Sequence, residues 1–186
     1  MARRIEGLVL AAALLAVSAP ARATTQPNDR NGFMIGFGVG GGSLGVEDLS
    51  DREGSVTGNF RLGWAVRPDL VLGLESNGWT KTFEGTPGDL TWTYNVAAAA
   101  LTWYPGAGGA YLRGGVGAGM VRAELESGNL TISGDDTGIG LTGAAGYEWR
   151  LTRKFAMGPE VNVFWMDVDA GSANVLGGTL NFDWYW

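Results

Sequence analysis

The sequence predicts an all-β fold: an eight-stranded antiparallel up-and-down barrel that crosses a membrane on its strands. Three observations carry this. Bulky apolar residues alternate with small or polar ones at period two in segment after segment. Glycine, at 32 residues, and tryptophan, at eight, are both far above ordinary usage, and each glycine disfavours a helix by about 1 kcal/mol. Short turns also alternate with longer polar connections, the layout of a transmembrane barrel.

Residues 1–23 read as a cleaved export signal: Arg3 and Arg4, an apolar run from Leu8 to Val17, and a small-residue close at Ala21-Arg22-Ala23. The run is shorter than the ~20 residues a spanning helix needs. Residues 24–186 then form one barrel domain. Removing Arg3, Arg4, Arg22 and Glu6 with the signal moves the formal charge from -6 to -8, which argues against nucleic acid as a partner. Cysteine and histidine are both absent. Disulfides, thiolate metal sites and the commonest general base are thereby excluded, and no cofactor or metal site is expected. Leu90 to Leu112 is uncharged and long enough to span, but Pro105-Gly106 and Gly108-Gly109 break it as a helix.

The strands follow in order. Phe33, Ile35, Phe37 and Val39 oppose Met34, Gly36, Gly38 and Gly40; Val56, Phe60, Leu62, Trp64 and Val66 oppose Thr57, Asn59, Arg61 and Gly63. Leu70, Leu72 and Leu74 oppose Gly73, Glu75 and Asn77, with the phase blurring at Trp79, where a bulge or an inward aromatic is expected. Trp92, Tyr94, Val96 and Tyr104 oppose Thr93, Asn95, Ala97 and Ala99. Leu112, Val116 and Met120 oppose Arg113, Gly115, Gly117 and Gly119; Ile139, Leu141, Ala145, Tyr147 and Trp149 oppose Gly140, Thr142, Ala144 and Glu148. Val161, Val163 and Trp165 oppose Glu160 and Asn162, and Leu176, Leu180, Phe182, Trp184 and Trp186 oppose Thr179, Asn181 and Asp183. Short turns fall at Arg67-Pro68-Asp69, Pro105 to Gly109 and Thr152 to Lys154, and longer connections at about 45–55, 83–90, 122–136 and 167–173.

Volume decides which face is outside. An eight-stranded barrel has an interior just wide enough for side chains to fill, so the small face fits the lumen and the bulky face meets lipid. The mid-strand charges Arg61, Glu75, Arg113, Glu148, Glu160 and Asp183 all lie on the small face. On the lipid face a mid-membrane arginine or lysine would cost roughly 2–4 kcal/mol, and inside the lumen a charge must be paired. These six therefore form a candidate lumen salt-bridge network. A turn centred on Pro68 places Arg61 opposite Glu75 and predicts that they pair, with Arg113 left to Glu148, Glu160 or Asp183.

The C-terminus, Leu180-Asn181-Phe182-Asp183-Trp184-Tyr185-Trp186, alternates apolar residues and ends on an aromatic one. With the strand pattern from Asn31 onward it resembles the small outer-membrane barrels of OmpA and OmpX type. The resemblance implies the outer membrane of a Gram-negative-type cell, contact with outer-membrane lipid and lipopolysaccharide, and a monomer. It also implies that Leu180, Phe182, Trp184 and Trp186 are read by the barrel-assembly machinery, though phenylalanine is the more usual final residue. Similar-sized lipid enzymes of that group rely on a histidine, which this chain lacks.

Gly36 to Gly41 satisfies a GxGxxG string, but no helix follows, so lumen packing accounts for it. Glu47, Asp48, Asp51 and Glu53, with Glu124, Glu126, Asp135 and Asp136, make two acidic loops without calcium-loop spacing. The function expected is non-enzymatic: acidic surface loops presented for envelope integrity or adhesion. The alternatives are a narrow conduit for small or hydrophobic solutes and, third, a lipid-modifying enzyme.

Overall fold

The computed structural model describes residues 30–46, 51–85, 88–127, 130–169 and 171–186. The export-signal reading of residues 1–23 lies outside the described residues, as do Glu47 and Asp48. Among the described residues the chain forms eight strands: β1 Gly32–Val46, β2 Glu53–Arg67, β3 Leu70–Phe83, β4 Asp89–Trp103, β5 Ala110–Ser127, β6 Leu130–Tyr147, β7 Phe155–Val168 and β8 Gly171–Tyr185. Trp149–Arg150 continues β6 in the same register against β7. Each strand pairs antiparallel with the next, and β8 returns to β1, so the sheet is closed and no edge faces lipid.

Cross-strand partners traced once round the barrel from Met34 pass Gly63, Gly73, Ala100, Gly115, Thr142, Phe164 and Val175 and arrive at Leu44, ten residues further along β1. At about 3.3 Å per residue and about 4.8 Å between strands, that stagger tilts the strands by about 40°. The outward row on β7 from Phe155 to Trp165 then rises about 25 Å, the height of a bilayer's apolar band. Trp64, Trp103, Trp149, Trp184 and Trp186 gather near the short-turn end as an interfacial girdle.

Seven of the eight strands present the expected faces. β4 is inverted: Tyr94 and Val96 are buried in the lumen with Trp92 on their face, while Ala97, Ala99, Leu101 and Trp103 point to lipid. Tyr104 is buried as well. Leu101 and Trp103 set the phase in the membrane, and the bulky residues nearer the loops are the inward ones. Trp79 also points inward, without a bulge, since Thr57 pairs with it in unbroken register.

The lumen is therefore not lined by small residues throughout. Leu44, Trp79, Tyr94, Val96, Phe164, Met166 and Val175 form an apolar lid toward the loop end. Inward glycines make its room: a Cβ on Gly140 would lie 2.5 Å from Val96 Cγ1, and one on Gly119 would lie 2.5 Å from Met166 Cβ.

The connections are also shorter than expected. The segment 122–136 is not a loop, because β5 and β6 stay paired as far as Ser127 and Leu130. Period two persists there, with Val121, Ala123, Leu125, Ile132 and Asp136 on the inner face and Arg122, Glu124, Glu126 and Asp135 on the outer one. Above the bilayer the outer face meets water, so all of these charges but Asp136 lie outside. At the opposite end, the β2–β3 turn is pinned by Arg67, whose bonds to Asp69 (2.9 and 2.6 Å) hold that carboxyl below its ordinary pKa.

Candidate functional site

Below the apolar lid the lumen holds a buried polar network. All six charges expected there are buried. The register at the Pro68 turn is as expected, with Arg61 opposite Glu75 and Leu62 opposite Leu74, apart from a shift between Ala65 and Arg67. The partners differ. Arg61 pairs with Asp183 on β8 (3.0 Å), and Glu75 pairs with Arg113 on β5 (2.5 Å).

Gly36 is the physical reason for the first exchange. It is the inward residue of β1 between β2 and β8, and a Cβ there would lie 2.0 Å from Asp183 Oδ1 and 3.3 Å from Arg61 Nη2. Side chains two strands apart meet over this glycine. Curvature aims long inward side chains at the axis, so a direct cross-strand neighbour is not the nearest opposite charge.

Glu160 is the hub. Its Oε1 accepts from Arg113 Nη2 (2.8 Å) and from the amides of Asn59 and Asn162 (3.3 Å each). Its Oε2 accepts from the Tyr111 hydroxyl (2.6 Å) and faces Arg61 Nη1 at 3.6 Å. Of the three acids open to Arg113, Glu160 is therefore the one used. Glu75 also accepts from the Thr142 hydroxyl.

Glu148 organises the short-turn end. Its Oε2 accepts from Tyr104 and Tyr185 hydroxyls, both at 2.9 Å, and its Oε1 faces Arg30 (3.5 Å) and Arg150 (3.4 Å). Four arginines balance four acids, the neutrality that a buried cluster requires. The cavity among Arg61, Glu75 and Arg113 is about 10 Å³, room for one water.

Arg150, Tyr111 and Tyr185 join the network without having been among the six expected charges, although the sequence carries a signal for them. Each sits two residues from a recognised charge, Glu148, Arg113 and Asp183 respectively, and so shares its face. Arg30 precedes the first strand and carried no such signal.

The other candidate surface stands above the rim. β6 meets β7 only from Gly138 opposite Val168, whereas its pairing with β5 runs on to Leu130. β3 and β4 stay paired to Phe83 and Leu90, and β4 and β5 to Asp89 and Glu126. These four strands form a wall. Its inner face carries one cross-strand row, Phe83, Leu90, Leu125 and Ile132, of which Phe83 (41 %), Leu125 (37 %) and Ile132 (57 %) are exposed. Its outer face carries Asp89, Glu124, Glu126 and Asp135 around Arg122. Among the described residues no group of three or more acidic side chains is placed to hold a metal ion.

At the β1–β8 seam, Leu180, Phe182, Trp184 and Trp186 all face outward. Phe37 packs against Phe182 (5.3 Å) and Trp184 (5.6 Å), Phe33 against Trp186 (6.1 Å), and the Trp186 amide donates to the Phe33 carbonyl (2.9 Å).

A closed barrel with a lipid-facing apolar belt, a charge-balanced lumen and short turns on one side defines an outer-membrane protein. Residues 9–183 match the family described as outer membrane protein beta-barrel domain, and the chain belongs to it. Its place is the outer membrane of a Gram-negative cell. Among solved structures it is similar to the neisserial surface protein NspA, at 12% identity and TM-score 0.63, covering 84% of this chain and 98% of that one. It is likewise similar to Ail, the attachment invasion locus protein of Yersinia pestis, in complex with the heparin analogue sucrose octasulfate, at 16% identity and TM-score 0.59, covering 82% and 99%. OprG from Pseudomonas aeruginosa follows at 13% identity and TM-score 0.51, covering 84% and 97%. At these identities the likeness is one of fold. Comparison with curated proteins finds no match.

Proposed function

We propose that this protein is a non-enzymatic surface-recognition barrel: the sealed lumen anchors it, and the projecting β3–β6 wall binds a partner outside the cell. The observation that supports this most directly is the wall, where an exposed apolar row sits behind an acidic outer face. Exposed apolar rows rimmed by charge mark interaction surfaces. The acidic face suits a partner with basic or apolar contacts, so a sulfated sugar such as the one bound to Ail is not the ligand expected. Lipopolysaccharide around the belt, the assembly machinery acting on the last strand, and a monomeric state complete the reading.

The test compares wild type with Leu125→Asp/Ile132→Asp in cells displaying equal amounts of folded barrel. Loss of adhesion to surfaces or of envelope resistance to detergent is the expected result. Unchanged behaviour in both assays removes the wall from the function.

A second reading, a conduit for small or hydrophobic solutes, has one observation in its favour: the exposed apolar row continues down into the apolar lid through Trp92 and Val121. Purified protein in a planar bilayer distinguishes the two. A silent membrane supports the anchor, and sustained conductance or solute flux supports the conduit.

A further inference from the structure

We propose that a lipid-facing groove over Gly58 and Gly78 seats one acyl chain of lipopolysaccharide, and that Asn95 beside it bonds the hydroxyl or acyl-ester oxygen such a chain carries below its head. This makes the lipopolysaccharide contact proposed above specific, and it does not involve the wall. The outward rows of β3 and β4 change character before they leave the bilayer. Toward the loops, Leu74 on β3 is followed by Ser76, Gly78 and Thr80, and Ala97 on β4 by Asn95 and Thr93. The register sets Ser76 opposite Phe60, Thr80 opposite Val56 and Asn95 opposite Met120. Phe60, Val56 and Met120 are exposed residues of the apolar belt, so this polar patch lies inside the belt and not above it.

Gly58 and Gly78 are a cross-strand pair and leave the backbone bare between Val39 and Val56 on one side and Thr80 and Thr93 on the other. The groove holds about 230 Å³. It is continuous with the lipid-facing belt, so an acyl chain is the group that fills it. The Thr80 and Thr93 hydroxyls bond each other at 3.3 Å. The Asn95 amide lies across the open face of Gly78, 3.3 Å from where a Cβ would stand, and donates to Ser76 Oγ at 3.1 Å. That bond uses one of its two N–H groups. An N–H left facing hydrocarbon is costly, so a chain of methylenes alone suits the site poorly. A hydroxylated or acyloxy-substituted chain supplies an acceptor at this depth.

The charge above the groove fits the head of the same lipid. Arg52 is exposed, bonds Ser43 Oγ at 2.9 Å, and places Nη1 2.5 Å from where a Cβ on Gly45 would stand. Ser43 and Gly45 continue the outward row of Val39 toward the loops, so the guanidinium sits over the outer face of β1. A lipid phosphate at that height meets a cation while its chain enters the groove below. A second copy related by a two-fold axis would instead set groove against groove and fill neither.

The probe is purified lipid A, titrated onto the refolded full-length barrel in detergent. A parallel arm uses phosphatidylglycerol, which has the phosphate and the chains but no chain hydroxyl. Native mass spectrometry counts the lipid retained. Wild type should hold one lipid A roughly tenfold more tightly than phosphatidylglycerol, and Asn95→Leu should lose roughly fivefold of that preference. Gly78→Val fills the groove floor and should weaken both lipids. Each change puts an apolar group on a lipid-facing surface, so folding, read by heat-dependent gel mobility, should be kept; Asn95→Leu alone decides if Gly78→Val does not fold. Leu125→Asp/Ile132→Asp should retain lipid A as wild type does, which separates this result from that on the wall. Equal retention of the two lipids by wild type overturns the site, as does undiminished lipid A binding in Asn95→Leu or a dimer that carries no lipid.

Discussion

Replacing Gly36 by alanine tests whether side chains two strands apart meet over β1. The new Cβ would fall 2.0 Å from Asp183 Oδ1, inside any allowed contact, so the carboxylate must turn away from Arg61 Nη2, now 3.0 Å off. Breaking a buried ion pair costs about 3–5 kcal/mol. Alanine in a strand interior returns about 0.5–1 kcal/mol relative to glycine, leaving a net loss of about 2–4 kcal/mol.

Gly41 on the same strand supplies the control. It faces outward, and a Cβ there meets nothing within 4 Å, so Gly41→Ala should be neutral or slightly stabilising. Both variants are unfolded by urea in lipid vesicles, followed by tryptophan fluorescence and by the gel mobility of unheated samples. In an Asp183→Ala background the penalty of Gly36→Ala should shrink, since the clashing group is gone. Equal tolerance of Gly36→Ala and Gly41→Ala would refute the contact across β1 and with it the exchange of partners.

Three further outcomes are expected. Glu160→Ala removes the hub and leaves Arg61 and Arg113 each one partner short, so it should be among the costliest single changes, about 3–5 kcal/mol by urea unfolding; a loss below 1 kcal/mol would mean that water replaces the hub. Trp79→Ala empties the centre of the lid and gives up its indole bond to the Gly42 carbonyl (3.2 Å), with about 3–5 kcal/mol lost, whereas exposed Trp64→Ala should cost clearly less in the same assay. Deleting Trp186 removes the Phe33 ring contact and the last seam hydrogen bond, and should lower the outer-membrane yield measured by fractionation; unchanged yield would release the final residue from any assembly role.

Strand number, the outward face of seven strands and the burial of Arg61, Glu75, Arg113, Glu148, Glu160 and Asp183 were readable in the sequence. Period-two alternation is a local property, and the cost of a charge in lipid selects a face without knowledge of any other strand. The register at Pro68 was local too, because one tight turn determines it. The pairing of Arg61 with Asp183 was not. It depends on closure of the last strand against the first and on a glycine in that first strand, over which the second and last strands reach each other. β4 misled because the rule that bulky residues face lipid holds only within the bilayer, and strand height is set by a stagger of ten residues that accumulates round the whole barrel. The same stagger lifts the β3–β6 wall above the rim, turning an apparent acidic loop into paired strand with an apolar inner face. Arg30 belongs to no strand and follows no period. Only the closed barrel, by bringing two distant turns and the end of β6 within reach of one guanidinium, gives that residue its place.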